Sequence, residues 1–126
     1  MIVVIDDERT FAMNWETEVI YLRTSQEAML FFAEWATETN FLPADATEDI
    51  TQIWFDHDLG SASKSDAALV AKQVAMIQKY DPSGILDDCT ILVHSQNPVG
   101  AKNIKNIFNS LDLDCQITTL PRMEPN

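Results

Sequence analysis

The sequence predicts an α/β sandwich with a mainly parallel sheet, and two observations lead there. Short apolar runs rich in β-branched residues alternate with longer segments of helical period, the pattern of β–α–β units. Three of those runs end on polar, chemically capable residues: Ile2-Val3-Val4-Ile5 enters Asp6-Asp7-Glu8, Ile53-Trp54-Phe55 enters Asp56-His57-Asp58, and Ile91-Leu92-Val93 enters His94-Ser95-Gln96-Asn97. In an open parallel sheet, ligands and chemistry gather at the carboxyl ends of the strands. Both histidines of the chain stand at such ends.

The elements follow in order. After the first strand, Val19-Ile20-Tyr21-Leu22 reads as a second. The gap between them is near the lower limit for a parallel crossover with a full helix, so that first helix is expected to be short or missing. Thr24 or Ser25 caps a helix carrying Ala28, Met29, Leu30, Phe32, Ala33 and Trp35. Asn40 to Thr51 is a polar linker with Pro43, and the third strand follows it. Beyond the small-residue loop Gly60 to Lys64, Ser65 or Asp66 caps a helix through Tyr80, with Leu69, Val70, Val74 and Ile77 as its apolar stripe. Asp81-Pro82-Ser83-Gly84 is a turn before the fourth strand. Asn97-Pro98 then reads as an N-cap with Pro at the first helical position, opening a helix to about Leu111 with Ile104, Ile107 and Phe108 inward. Gln116-Ile117-Thr118-Thr119 is a short fifth strand. Residues 1–120 are thus one domain, and 121–126 a flexible tail.

Composition limits the function. With 126 residues and 46% hydrophobic content, the chain fits one compact domain. No apolar run approaches the roughly 20 residues of a membrane span, and the start lacks the basic region of a signal peptide. Cys89 and Cys115 form no CxxC pair and precede strands, so both read as buried thiols of a reduced, cytoplasmic protein. A net charge of −12 argues against a non-specific grip on nucleic acid, which needs many phosphate contacts from Lys and Arg. Arg9, Arg23, Lys64, Lys102 and Arg122 nevertheless follow strands, with Lys105 one turn beyond. Singly they are solvated surface charge; together they can rim an acidic mouth, which suits a small anionic group or a nucleic-acid end.

Asp6 or Asp7 alone is an ordinary loop or capping acid. Brought beside Asp56 and Asp58, they form a carboxylate cluster whose mutual repulsion a hard divalent cation relieves. Mg²⁺ suits such an oxygen shell, and Mn²⁺ becomes an option if His57 or His94 joins it. The two histidines also offer a general base and a general acid. Side chains alternate along a strand, so Asp56 and Asp58 face one way and His57 the other, and His94 and Ser95 meet the same opposition. Ser95, Asn97 and the amides after Pro98 form a phosphate cradle at a helix start, with Lys102 adding a point charge. Trp35 and Trp54 read as core, whereas Trp15 is the one base-stacking candidate.

The order of strand ends resembles response-regulator receiver domains, whose flavodoxin-like three-layer sandwich has a five-stranded sheet. Asp6-Asp7, Asp56 and Ser95 match that family's acidic pair, phosphoacceptor and hydroxyl residue. The chain departs from it in the short first helix and at Leu120-Pro121, where the family has a lysine before the proline. Three strings are more closely similar to a divergent group, the cyclic-phosphate processing receiver domains: Ile5-Asp6-Asp7-Glu8-Arg9, Phe55-Asp56-His57-Asp58-Leu59-Gly60 and the run from His94 to Ile104. The resemblance implies a role in processing cyclic phosphate ends of RNA; joined to the carboxylate cluster and the two histidines, it leads to the expectation of a metal-assisted phosphohydrolase acting on a cyclic phosphate, at an RNA 2′,3′-cyclic end or in a small cyclic nucleotide. On that reading His57, His94 and Asp56 are catalytic, Ser95, Asn97 and Lys102 bind phosphate, and Asp6, Asp7, Asp56 and Asp58 hold the metal. The alternative is a non-catalytic signalling or interaction module, with Asp56 as phosphoacceptor or the acidic face docking a protein partner.

Overall fold

The computed structural model describes residues 1–6, 9–11, 18–41, 50–56, 65–80, 86, 88–94, 98–118 and 123–125. Its main sheet has five strands, β1 (Ile2–Ile5), β3 (Val19–Leu22), β4 (Gln52–Phe55), β5 (Thr90–Val93) and β6 (Gln116–Ile117), in the order β3-β1-β4-β5-β6. Every pairing in it is parallel. This is the receiver-like, flavodoxin-type α/β fold expected from the sequence. Between β1 and β3 the described residues include a strand, β2 (Arg9–Phe11). It pairs antiparallel with β7 (Met123–Pro125), which falls within the segment expected as a tail.

Three helices connect the strands: α1 (Ser25–Phe41), α2 (Ser65–Tyr80) and α3 (Pro98–Asn109). Thr24 settles the first cap, because its Oγ1 accepts the Glu27 amide at 3.0 Å while Glu27 Oε1 accepts the Arg23 amide at 3.3 Å. That reciprocal pair satisfies two donors which would otherwise have no helical partner. Pro98 opens α3 as expected. The steps β3 to β4, β4 to β5 and β5 to β6 all move the same way across the sheet. Right-handed crossovers therefore place all three helices on one face.

The core bears this out. Val3, Ile5, Ile53, Phe55, Ile91 and Val93 form one cluster with residues of all three helices, among them Phe32, Val70, Val74, Ile104 and Phe108. The rings of Phe55 and Phe108 meet at 5.9 Å. The alternate strand positions, Ile2, Val4, Trp54 and Leu92, form a second cluster on the opposite face, with Val19 and Tyr21 against it. One inward assignment needs correcting: Leu69 is 46% exposed. It lies about 100° of helical rotation from Val70, which carries it from the core side of α2 to the outer side.

Cys89 and Cys115 are buried and unpaired with each other, as expected. Burial pushes both thiols from an ordinary 9.0 up to about 12. Since the thiolate is the reactive form, neither cysteine should react with iodoacetamide in the native protein at neutral pH, and both should once it is denatured. Above about pH 9 the unfolded chain ionises these thiols while the folded one holds them neutral, so stability should fall as pH rises from 9 towards 12. Rapid native labelling would show that the two sites open readily.

Candidate functional site

The backbone ladder runs one residue past the strands. The Asp6 amide donates to Leu22 O at 3.1 Å, the Asp56 amide to Ile5 O at 2.9 Å, and the His94 amide to Phe55 O at 3.0 Å. These bonds hold Arg23, Asp6, Asp56 and His94 on one row at the carboxyl ends of four adjacent strands. Each stands two residues beyond Tyr21, Val4, Trp54 or Leu92, so alternation points all four to the face of the second cluster, away from the helices. Since β3 and β4 flank β1 on opposite sides, the winding reverses at β1, and Asp6 and Asp56 stand at the switch point.

Asp6 and His94 meet across the intervening strand. Asp6 Oδ2 lies 3.0 Å from His94 Nε2, with the two side chains 0% and 1% exposed. An ionised carboxylate only accepts, so Nε2 carries the proton, and in the neutral ring the acceptor nitrogen is then Nδ1. One rung below, the Trp54 ring is 6.2 Å from the imidazole. Asp56, between the two, is itself buried. Buried polar side chains are rare among apolar neighbours unless they are held by partners. Three of them side by side at a sheet's carboxyl edge make a site.

Arg23 belongs to the same row, a placement beyond its reading as a rim charge. Its Nη1 donates to the Asp6 carbonyl at 3.1 Å, and its guanidinium lies 4.9 Å over the Tyr21 ring. It brings a fixed positive charge to an acidic edge. Lys102 is exposed on α3, while Gly100 and Ala101 are buried and let the first turn lie close to the core. Asp7, His57, Asp58, Ser95 and Asn97 lie outside the described residues, as do Trp15, Lys64 and Arg122.

Among the described residues, no three His, Cys, Asp or Glu are grouped so as to hold a metal ion. The oxygen donors Asp6 and Asp56 are of the type a hard cation takes. A separate cavity of about 380 Å³ opens at the amino-terminal edge, lined by Gln78, Asp88, Asp112, Asp114 and Gln116 among others.

A family model, the cyclic-phosphate processing receiver domain, matches residues 1–110. The chain belongs to that family. The match includes the whole row Arg23, Asp6, Asp56 and His94 and ends before β6 and β7. No curated protein and no solved structure matches the chain. In this cyclic-phosphate processing receiver domain no helix of the described residues is long and apolar enough to cross a membrane.

Proposed function

We propose that this receiver domain hydrolyses a cyclic phosphodiester, either the 2′,3′-cyclic end of an RNA or a small cyclic nucleotide. The observation that carries the reading is the buried Asp6–His94 contact beside Asp56 at the switch point. A histidine oriented by a buried carboxylate is an acid–base device, because its partner fixes the ring and stabilises the imidazolium. In the reaction a water oxygen bonds to phosphorus and gives up a proton, and the bond from phosphorus to one ribose oxygen breaks as that oxygen gains one. His94 serves one of these transfers and His57 the other. Asp6 positions His94, and Arg23 adds positive charge near the developing anion.

Ser95, Asn97 and Lys102 hold the non-bridging oxygens at the start of α3, where a helix N-terminus favours anions. Asp6 and Asp56, with Asp7 and Asp58, would hold Mg²⁺ or Mn²⁺, which would supply charge stabilisation to the phosphoryl group when bound. The substrate is a nucleotide or RNA end rather than a long backbone, in keeping with a net charge of −12.

The test is incubation of purified protein with Mg²⁺ or Mn²⁺ and a panel of 2′,3′-cyclic nucleotides, cyclic-ended RNA and linear phosphates. Metal-dependent turnover of cyclic members alone is expected. The metal should also raise the melting temperature, as a ligand at a hundred times its Kd stabilises the folded state by about 2.7 kcal/mol. No turnover of any member would overturn the hydrolase reading. Stable phosphorylation of Asp56 by acetyl phosphate would favour the signalling module instead.

A further inference from the structure

Two tethers of one small ribbon flank the carboxyl edge of the sheet. The backbone ladder that holds Asp6, Asp56 and His94 in a row continues into β6, where the Thr118 amide donates to Val93 O at 3.0 Å. In sheet order the row therefore reads Asp6, Asp56, His94, Thr118. At about 4.8 Å per strand, Asp6 and Thr118 stand about 14 Å apart, with Asp56 and His94 between them. β2 begins three residues after Asp6, and β7 begins five residues after Thr118. These two strands pair with each other, Arg9 opposite Pro125, Thr10 opposite Glu124 and Phe11 opposite Met123.

The chain can stretch to no more than about 3.6 Å per residue, which keeps Arg9 within about 11 Å of Asp6 and Met123 within about 18 Å of Thr118. The ribbon is thus anchored on both sides of Asp56 and His94, by short connections. Among the described residues neither β2 nor β7 joins the five-stranded sheet. Each has only the other for its ladder there, and a lone two-stranded ribbon is marginally stable in water. Pro125 weakens it further, because proline brings no amide to the pairing. Among the described residues neither core cluster reaches past Cys115, so opening the ribbon leaves both clusters intact. The family match ends at residue 110, which leaves β7 outside the shared part of the fold.

We propose that the β2–β7 ribbon is a strap that opens and closes at the carboxyl-edge site and so controls access to the Asp6–His94 row. Segments that move at active sites are drawn from the least stable parts of a fold, and this ribbon is fastened at both sides of the row by few bonds. Closed, it keeps water from the row, where charge interactions are then stronger. Open, it admits a nucleotide or RNA end and releases the product. Gating of substrate rests on the hydrolase reading, whereas gating of access to His94 does not.

A disulfide across the ribbon tests the strap. Directly opposed residues of an antiparallel pair have Cα atoms about 4.5–5.5 Å apart, inside the span that a disulfide bridges. Thr10→Cys with Glu124→Cys should therefore bridge on oxidation, while the buried thiols of Cys89 and Cys115 stay out of the exchange. The first readout is modification of His94 by diethyl pyrocarbonate, followed by peptide mass spectrometry. Oxidation should slow it about tenfold or more relative to the same protein reduced, since the opened state is then suppressed. Glu124→Pro, which disfavours the pairing, should speed it relative to wild type. The second readout is turnover of a cyclic-ended RNA, which should fall about tenfold or more on oxidation and return with reductant. The oxidised and reduced forms are one chain, so a difference between them lies in the strap and not in a misfolded variant. Equal labelling of the oxidised, reduced and Glu124→Pro proteins overturns the proposal, as does failure of the bridge to form. A wild type that turns over no cyclic phosphate removes the hydrolase reading, and the labelling rates of His94 still decide the strap.

Discussion

Substituting His94 by alanine is expected to lower the free energy of unfolding by about 1–3 kcal/mol, the usual cost of leaving a buried polar group without its hydrogen-bond partner. The Asp6 side chain is 0% exposed and faces His94 Nε2 at 3.0 Å. Without the imidazole, that carboxylate keeps its desolvation and loses a charge-assisted hydrogen bond. The measurement is urea unfolding at neutral pH. A double-mutant cycle isolates the pair: Asp6→Ala with His94→Ala should cost less than the two single changes together, by about 1 kcal/mol or more. Strict additivity would show that the contact contributes nothing, and the site would then lack the feature on which its chemistry rests. Replacing Asp56 alone in the same background should leave the coupling largely intact.

Local pattern made the five parallel strands legible, because each is a short apolar run and each crossover of helical length showed its period. The ends of those strands were legible for the same reason: polar residues after Ile5, Phe55 and Val93 stop the run. Orientation was not. Taken alone, the pair His94-Ser95 leaves open which residue enters the site, since neighbours on a strand face opposite ways. Register decides it, with Leu92 on the face of Val4 and Trp54, and His94 two residues further on. Register is a long-range property that no single segment encodes.

The β2–β7 pairing was hidden for a related reason. Its strands are three residues each, they join Arg9–Phe11 to Met123–Pro125, and Pro125 argues locally against a strand. Leu69 misled because α2 has apolar residues on two sides, so a stripe drawn by composition mixes the core side with the outer one. Of the residues proposed to act, Asp6, Asp56 and His94 come together, Arg23 joins them, and Lys102 stays exposed on its helix.

Turnover should respond most strongly to His94. With a 2′,3′-cyclic nucleotide and saturating Mg²⁺ or Mn²⁺, His94→Gln should lower kcat by about a hundredfold or more, because a positioned general acid or base contributes roughly that much. Glutamine keeps a hydrogen-bond donor for Asp6 and so separates proton transfer from folding. Asp6→Asn should cost about 10–100-fold through the loss of His94 orientation, and, because Asp6 also serves the metal, should lower part of the metal-induced rise in melting temperature. Asp56→Asn should reduce turnover and also remove most of the metal-induced rise in melting temperature. If His94 ligates the metal instead, raising the metal concentration should recover part of the His94→Gln rate. If it transfers a proton, no excess should help. Equal rates for wild type and His94→Gln would take the histidine out of the mechanism and leave Asp56 with the phosphate cradle to account for the chemistry.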